Sequence, residues 1–241
     1  MSSVINALKL QQDIFGDDLF LSNLSELNSE IREVVIPKTE IKENIISDND
    51  MKLKSKKSEI DNYEKFICNC QECPLGSTRN KFVYGVGDAE TKIMLVGEGP
   101  GADEDEQGEP FVGRAGKLLN DILKAIQIER NSVYIANIVK CRPPENRKPT
   151  PEEMSKCIPY LHKQIEIIAP KHILCLGTTA AEGLLGLKGL LKNMRLQTYS
   201  LMNATVSVTY HPAALLRNPN FKRDCWEDVQ KFKKLIDSEG N

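Results

Sequence analysis

The chain has 241 residues, a formal net charge of −2, 40% hydrophobic residues and 27% charged residues, which is the usual balance of a folded globular protein. A net charge near zero argues against a histone-like polycation, although a local basic patch can still bind nucleic acid. No apolar run is long enough to span a membrane, and the N-terminus lacks the basic and apolar regions of a secretory signal. We expect a cytoplasmic monomer that makes no membrane contact and keeps its seven cysteines reduced.

Residues 1–60 differ in composition from the rest of the chain. They are rich in Ser, Asn, Asp, Glu and Lys, and they contain one glycine and one proline. The segment 48–58 has the composition of a solvated linker. Four apolar residues could line a short amphipathic helix, namely Val4, Leu8, Ile14 and Leu19. We predict that residues 1–60 form a polar N-terminal extension, either disordered or docked on an unknown protein partner, and that residues 61–241 form the folded domain.

Four apolar runs in this domain predict buried strands. They are Lys92–Val96, Val133–Val139, His172–Leu176 and Thr205–Tyr210. Helical patterns lie between them, and Thr150 with Glu153 predicts a capping box for a helix that runs to about Ile168. The last helix is expected over about Phe221–Ile236. Strands that alternate with helices at this spacing indicate an α/β fold with a mostly parallel sheet and helices on both faces.

A long loop follows the first predicted strand and reads GEGPGADEDEQGEPFVGRAGKLL over residues 97–119. A strand that leads through such a loop into a helix is typical of a binding site at the carboxyl end of an α/β sheet. The glycines permit positive φ and close approach of a ligand. The acidic residues would repel a phosphate, so the loop suits a neutral ligand better. An ordinary surface loop is the alternative interpretation.

Four cysteines have the spacing of a metal site, with one close pair and two remote positions: Cys70, Cys73, Cys141 and Cys157. Four thiolates hold either zinc or an iron–sulfur cluster. Zinc ribbons usually show two close pairs, so the pattern favours a cluster modestly. Cys68 remains an alternative ligand, whereas Cys175 and Cys225 fall in predicted core elements.

Polar residues follow three of the predicted parallel strands. Glu98 follows the first strand, Asn137 lies near the end of the second, and His211 directly follows the fourth. Because parallel strands end at the same edge of a sheet, we expect these residues to approach one another. Asn137 could read the edge of a base, although strand-end residues often serve as turn or capping residues. Phe111 could be a core plug or a stacking platform.

Basic residues are clustered near two of these strand ends, where they could contact phosphates or form a solvated surface. They are Lys140, Arg142, Arg147, Lys148, Arg217, Lys222 and Arg223.

Four segments together resemble the uracil-DNA glycosylase superfamily, and specifically its iron–sulfur family 4. They are residues 97–101, 110–119, 137–147 and 211–217, and the resemblance covers about residues 65–236. It implies a three-layer α/β/α sandwich around a four-stranded mostly parallel sheet. It also implies that residues 61–241 are a uracil-DNA glycosylase domain, which hydrolyses the N-glycosidic bond of a flipped deoxyuridine and so initiates base-excision repair.

The resemblance also implies a role for each matching residue. The catalytic group would be Glu98, Glu104 and His211. The uracil-binding group would be Gly99, Phe111 and Asn137. The DNA-contacting group would be Arg142, Pro212, Leu215, Leu216 and Arg217. A structural [4Fe–4S] cluster would be held by Cys70, Cys73, Cys141 and Cys157. The partner would be DNA containing uracil.

Two other functions are compatible with parts of this pattern. One is a relative that crosslinks to uracil-DNA through a histidine in an inserted basic loop, but the segment after Phe111 has neither the insert nor a histidine. The other is a non-catalytic nucleic-acid-binding or polymerase-associated iron–sulfur module. The sequence leaves open the preference for single- or double-stranded DNA, activity on other deaminated bases, and the residue that excludes thymine.

Overall fold

A mixed β-sheet forms the centre of the protein in this computed structural model, which describes residues 12–14, 32–33 and 55–238. Its strands are β1 (Arg32–Glu33), β2 (Val86–Gly87), β3 (Ile93–Gly97), β4 (Tyr134–Asn137), β5 (His172–Leu176), β6 (Tyr199–Leu201) and β7 (Ala204–Thr209). The strand order is β1-β6-β7-β5-β3-β4-β2.

The four strands predicted from apolar runs are neighbours in the sheet and are parallel to one another, in the order β7-β5-β3-β4. The prediction of a four-stranded sheet is nevertheless wrong, because β2 pairs antiparallel with β4 and β6 pairs antiparallel with β7. These added strands are too short to show a pattern. The β6–β7 turn has positive φ at Met202 and Asn203, as a tight hairpin requires.

The helices are α1 (Lys56–Ile67), α2 (Leu75–Thr78), α3 (Ala102–Gln107), α4 (Arg114–Ala125), α5 (Pro151–Ile168), α6 (Thr178–Leu185), α7 (Leu191–Met194), α8 (Pro212–Arg217) and α9 (Lys222–Ser238). Short 3₁₀ helices lie at Arg130–Ser132, Pro144–Asn146 and Pro219–Phe221. Within the described ranges, no helix is long and apolar enough to cross a membrane.

The predicted start of α5 is confirmed. Thr150 Oγ1 accepts a hydrogen bond from the Glu153 N–H at 3.2 Å, and Glu153 Oε2 accepts one from the Thr150 N–H at 2.7 Å. Helix α1 begins at Lys56 and therefore spans the predicted boundary between residues 60 and 61. Helix α3 lies within the acidic loop and was not predicted.

Apolar side chains pack on both faces of the sheet. Along β3, Met94 and Val96 belong to a core cluster that includes residues of α1, α5 and α6. The intervening residue, Leu95, belongs to a second cluster that includes residues of α4, α8 and α9. Burial of both faces explains why the parallel strands read as continuous apolar runs.

The N-terminal extension is described only in part. Of the four residues predicted to line an amphipathic helix, Ile14 is described; it is buried and packs in the second core cluster. Val4, Leu8 and Leu19 lie outside the described residues, as does most of the predicted linker. The roles predicted for residues 1–60 stay predictions.

Candidate active site

A cleft with a volume of about 210 Å³ lies at the carboxyl edge of the parallel strands. The loop after β3 contributes Gly99 and Glu104 to its lining, and Phe111 closes one side. Asn137 reaches the cleft from the end of β4, and His211 reaches it from the residue pair that follows β7. The structure therefore brings together five of the six residues that the sequence assigned to catalysis and uracil binding.

Asn137 presents a buried acceptor to this cleft. The residue is 2% exposed, and its Oδ1 atom has no hydrogen-bond partner among the described residues. Gly97 permits this placement, because a Cβ atom at that position would lie 2.4 Å from Asn137 Oδ1 and 2.6 Å from Phe111 Cζ. A buried acceptor without a partner costs about 1–3 kcal/mol. Such an atom is suited to a ligand that brings a donor.

Phe111 forms an aromatic wall and has a strained backbone. Its φ is 55°, in the left-handed region, which is a genuine outlier for a bulky residue. Its ring stacks on that of His211, with the centroids 5.4 Å apart. Two contacts hold the turn: Arg130 Nη2 donates to the Pro110 carbonyl at 2.7 Å, and Gly116 packs against the Phe111 carbonyl, which a Cβ atom would approach to 1.9 Å.

Glu104 organises the loop around Phe111. Its Oε1 accepts hydrogen bonds from the N–H groups of Val112 and Gly113, both at 3.0 Å. Its Oε2 accepts from the N–H of Gly101 at 3.1 Å. A carboxylate has about four acceptor positions, so one remains on Oε2 for a group in the cleft.

The next acid of α3 ties this helix to a different loop. Asp105 is 2% exposed and accepts from the main-chain N–H groups of Asn80 and Lys81 and from Asn80 Nδ2. Two of the acids that were expected to repel a phosphate therefore accept hydrogen bonds from backbone N–H groups.

The expectation that the loop glycines supply positive φ holds only for Gly108 within residues 97–119. Gly97 and Gly116 instead permit close packing, and the strained backbone lies at Phe111.

His211 caps the N-terminus of α8 and is neutral near pH 7. Its Nδ1 accepts a hydrogen bond from the Ala213 N–H at 3.1 Å, so the proton of the neutral ring lies on Nε2. Burial, assisted by the positive charge of Arg217, lowers the pKa of His211 from 6.5 to about 4. The ring can therefore act as an Nε2–H donor without carrying a net charge.

Three predicted site residues are placed differently from the expectation. Glu98 is not among the residues that line the cleft, and its main-chain carbonyl accepts from the Val139 N–H at 3.1 Å. Leu215 is fully buried in the second core cluster and cannot contact DNA in this structure, and Pro212 is also buried. Helical spacing explains the difference, because the adjacent Leu216 points outward and is 49% exposed.

The loop after β4 supplies cleft residues that the sequence analysis did not assign to uracil binding. Asn146 and Arg147 both line the cleft. Asn146 has a φ of 56°, and its Oδ1 accepts from Arg142 Nε at 2.8 Å. Arg147 forms two hydrogen bonds with the carboxylate of Glu153, at 2.8 and 2.7 Å. One sequence signal could have indicated this turn: asparagine tolerates left-handed backbone, and Asn146 closely follows Pro143 and Pro144.

The four cysteines of the predicted metal site line one small cavity: Cys70, Cys73, Cys141 and Cys157. Several donors point at their sulfur atoms, as occurs around iron–sulfur clusters. Arg79 Nη1 lies 3.2 Å from Cys141 Sγ, and the Lys140 N–H lies 3.3 Å from Cys157 Sγ. No described group of three or more His, Cys, Asp or Glu side chains is arranged to hold a single metal ion.

Arg79 is the residue that sequence reasoning missed at this site. Besides Cys141, it donates to the carbonyls of Cys70 at 2.7 Å and Cys68 at 3.0 Å. Arg79 therefore connects the first cysteine turn, residues 68–73, to the loop after β4 that carries Cys141. Cys175 and Cys225 are fully buried apolar-core residues, as expected, and Cys68 is outside the cavity lining.

The chain is similar to known proteins over most of the described domain. The family model described as "Uracil DNA glycosylase superfamily" matches residues 84–230. The Type-4 uracil-DNA glycosylase of Archaeoglobus fulgidus is 42% identical over 73% of this chain and 92% of its own. The enzyme of the same name from Thermotoga maritima is 46% identical over 72% of this chain and 93% of its own, and that from Pyrobaculum aerophilum is 42% identical over 72% and 93%.

Proposed function

The chain belongs to the uracil-DNA glycosylase superfamily, and on that premise we propose that it removes uracil from DNA by hydrolysing the N-glycosidic bond of a flipped deoxyuridine. This reaction initiates base-excision repair. The cleft supports the proposal because it combines a neutral aromatic wall, a buried acceptor and an uncharged donor. The observation that carries it is the Oδ1 atom of Asn137, which has no hydrogen-bond partner in the part of the chain that the structure describes.

Asn137 would select uracil by hydrogen bonding. Uracil carries a donor at N3, whereas cytosine carries an acceptor there, so a fixed acceptor pairs with uracil and opposes cytosine. The base must leave the duplex to reach the cleft, at a cost of a few kcal/mol that is lower at a U·G mismatch or in a single strand. Stacking on Phe111 would offset part of that cost.

His211 would stabilise the leaving group. When the C1′–N1 bond breaks, its electron pair moves onto the uracil, and negative charge develops at O2. The Nε2–H of His211 would donate to O2, which stabilises the transition state more than the ground state. A neutral donor suits this role because it does not hold the product anion as an ion pair.

Glu104 would serve the attacking water. The remaining acceptor position on Oε2 would orient a water molecule whose oxygen bonds to C1′ as the C1′–N1 bond breaks, and whose proton passes through solvent to the departing uracil anion. The same carboxylate holds three backbone N–H groups of the loop, so its main contribution would be to shape the pocket. The side chain of Glu98 lies outside the cleft lining, and we assign it no chemical step.

DNA would be held by basic residues beside the cleft. Arg142 and Arg217 would contact phosphates, and the exposed Leu216 would enter the space left by the flipped nucleotide. The loop after β4 and helix α8 both contribute residues to the cleft lining, which supports this arrangement.

We also propose that Cys70, Cys73, Cys141 and Cys157 hold a [4Fe–4S] cluster, since all four line one cavity with donors aimed at their sulfurs. The cluster would crosslink the chain around the loop after β4. We further infer a three-layer α/β/α arrangement, since apolar clusters with separate sets of helices cover the two sheet faces.

The direct test is excision from oligonucleotides that contain one uracil in U·G, U·A or single-stranded form, followed by alkali to cleave abasic sites. Matched oligonucleotides with thymine or cytosine at that position are the controls. We expect alkali-labile product from the uracil substrates and none from the controls. Intact DNA binding without product would contradict the proposal and favour a non-catalytic module.

A further inference from the structure

A fully buried lysine lies beneath the cleft and takes no part in the chemistry described above. Lys140 is 0% exposed and follows Asn137 by three residues. Its ammonium group donates to the main-chain carbonyl of Asn137 at 3.1 Å and to Gln164 Oε1 at 2.6 Å. Both acceptors are neutral. Burial of an ammonium group is costly, so packing alone does not explain a lysine at this position.

The second acceptor is itself held rigidly. Gln164 belongs to α5 and is 0% exposed. Its Nε2 donates to the Tyr84 carbonyl at 3.1 Å and to the Tyr134 hydroxyl at 3.3 Å. The Gln164 amide is therefore fixed by Tyr84, Tyr134 and Lys140. Through this amide the ammonium group of Lys140 is held in place.

The first acceptor belongs to the residue that faces the base. Asn137 is the last residue of β4, where the ladder to β3 ends at its pairing with Gly97. Its Oδ1 atom has no hydrogen-bond partner among the described residues, so no contact of that atom fixes the orientation of the side chain. The peptide group that follows Asn137 is held at both ends, because the Ile138 N–H donates to the Gly97 carbonyl at 2.9 Å and the Lys140 ammonium donates to the Asn137 carbonyl.

We propose that Lys140 is a positioning residue for uracil recognition: it fixes the peptide of Asn137 so that Oδ1 faces the N3–H of the flipped uracil. The inference rests on the proposed glycosylase function and adds to it a residue that touches neither base nor DNA. Small displacements of a recognition group reduce the rate strongly, by about 100-fold for roughly 1 Å.

The test replaces the ammonium by an apolar group of similar length, Lys140→Met. We expect the single-turnover excision rate to fall roughly 10- to 100-fold, and the inhibition constant of free uracil to rise by a similar factor. The Kd for uracil-free duplex DNA should not change, because Lys140 is buried away from the surface. Iron content and the melting temperature are measured on the same preparations.

The decisive measurement is a double-mutant cycle with Asn137→Ala. If Lys140 acts through Asn137, Lys140→Met changes the already reduced rate by less than about twofold in the Asn137→Ala background. The same fold loss in both backgrounds would overturn the proposal, because it would mean that the lysine acts only on stability or through another group.

Two further variants keep the test conclusive. Ile173→Ala removes a buried core side chain on β5 and should lower the melting temperature while leaving the excision rate unchanged; a rate that follows stability here would contradict the inference. If Lys140→Met fails to fold or loses iron, Gln164→Leu enters the same cycle with the same criteria. An inactive wild-type chain would refute the proposed function, whereas an active wild type matched by Lys140→Met would refute only this inference.

Discussion

At the scale of single residues, the cleft is defined by hydrogen-bonding groups left for a ligand. Asn137 keeps an acceptor without a partner among the described residues, and His211 keeps an Nε2–H because its Nδ1 is occupied by the Ala213 N–H. These two atoms complement the N3–H and O2 groups of uracil, which lie next to each other on one edge of the ring.

Replacement of Asn137 by alanine should separate function from stability. We expect Asn137→Ala to reduce single-turnover excision by about 100- to 1000-fold, as loss of one aligned polar group in a preorganised site does. The melting temperature should not fall, because removal of an unpartnered buried acceptor relieves a cost of about 1–3 kcal/mol.

The control for that variant is an asparagine whose amide is paired. Asn80→Ala removes a hydrogen bond to Asp105 and should cost about 1 kcal/mol of unfolding free energy with little effect on excision. A large loss of stability in Asn137→Ala with near-normal excision would contradict the assignment.

The pH dependence of excision tests the protonation state of His211. Because the folded-state pKa is about 4 instead of 6.5, the neutral donor persists down to about pH 4, and its contribution to the rate should be lost only as pH falls through that value. The unfolded state binds the extra proton between these two values, so stability should decline over the same window on acidification.

The measurement is the single-turnover rate of the wild type and of His211→Asn from about pH 5 to 8. A wild-type rate that falls with a midpoint near 6.5, and does so only when His211 is present, would show that the ring titrates normally and would refute this assignment.

Residue types at strand ends were predictable, and residue orientations were not. Asn137 and His211 could be assigned to one edge because parallel strands end together. Glu98 and Leu215 were assigned by position in a motif, but the direction of a side chain depends on packing. Leu215 turns into the core and Leu216 turns outward, which sequence adjacency cannot distinguish.

At the scale of elements, long periodic segments were predictable and short ones were not. The four parallel strands and α5 follow from apolar runs and a capping box. Strands β2 and β6 have two and three residues, so no pattern develops in them. Helix α3 is acidic, and it is held by the backbone N–H groups of Asn80, which is distant in sequence, and of Val112, which follows in the same loop.

Gly116, in the first turn of α4, packs against the turn that carries Phe111. A Cβ atom at Gly116 would lie 1.9 Å from the Phe111 carbonyl oxygen, so Gly116→Ala must displace the turn that carries the aromatic wall. We expect loss of both stability and excision, with the free-uracil inhibition constant raised, measured by thermal unfolding and single-turnover assays.

Gly186→Ala is the matched control. Gly186 has a φ of 66° and no atom within 4 Å of its ideal Cβ, so alanine there costs about 1–2 kcal/mol in backbone strain without touching the cleft. Equal excision by the two variants would contradict the claim that Gly116 sets the position of Phe111.

At the scale of the whole molecule, the cysteine site and the cleft share structural supports. Arg79 holds the first cysteine turn against Cys141, and its neighbour Asn80 is held by Asp105. Asp105 adjoins Glu104, which organises the Phe111 loop. A short run of packed residues therefore joins the two sites. The sequence could predict that the four cysteines lie together, as their shared cavity shows, but it could not reveal these supports.

The cluster proposal predicts a metal content. Protein purified without oxygen should be coloured and contain iron and sulfide in equal amounts. Cys157→Ala should lose iron and stability, because Cys157 lines the cysteine cavity. Cys175→Ala, a change of another buried thiol in the same core cluster, should keep its iron. A colourless wild-type protein that contains one zinc ion would contradict the proposal.

The central claim is that this cleft holds uracil by Asn137 and His211. A crystal structure of the iron-loaded protein with free uracil tests it most directly. We expect uracil against the Phe111 ring, with N3 within hydrogen-bonding distance of Asn137 Oδ1 and O2 within that distance of His211 Nε2. Uracil bound elsewhere, or bound in the cleft with neither contact, would contradict it.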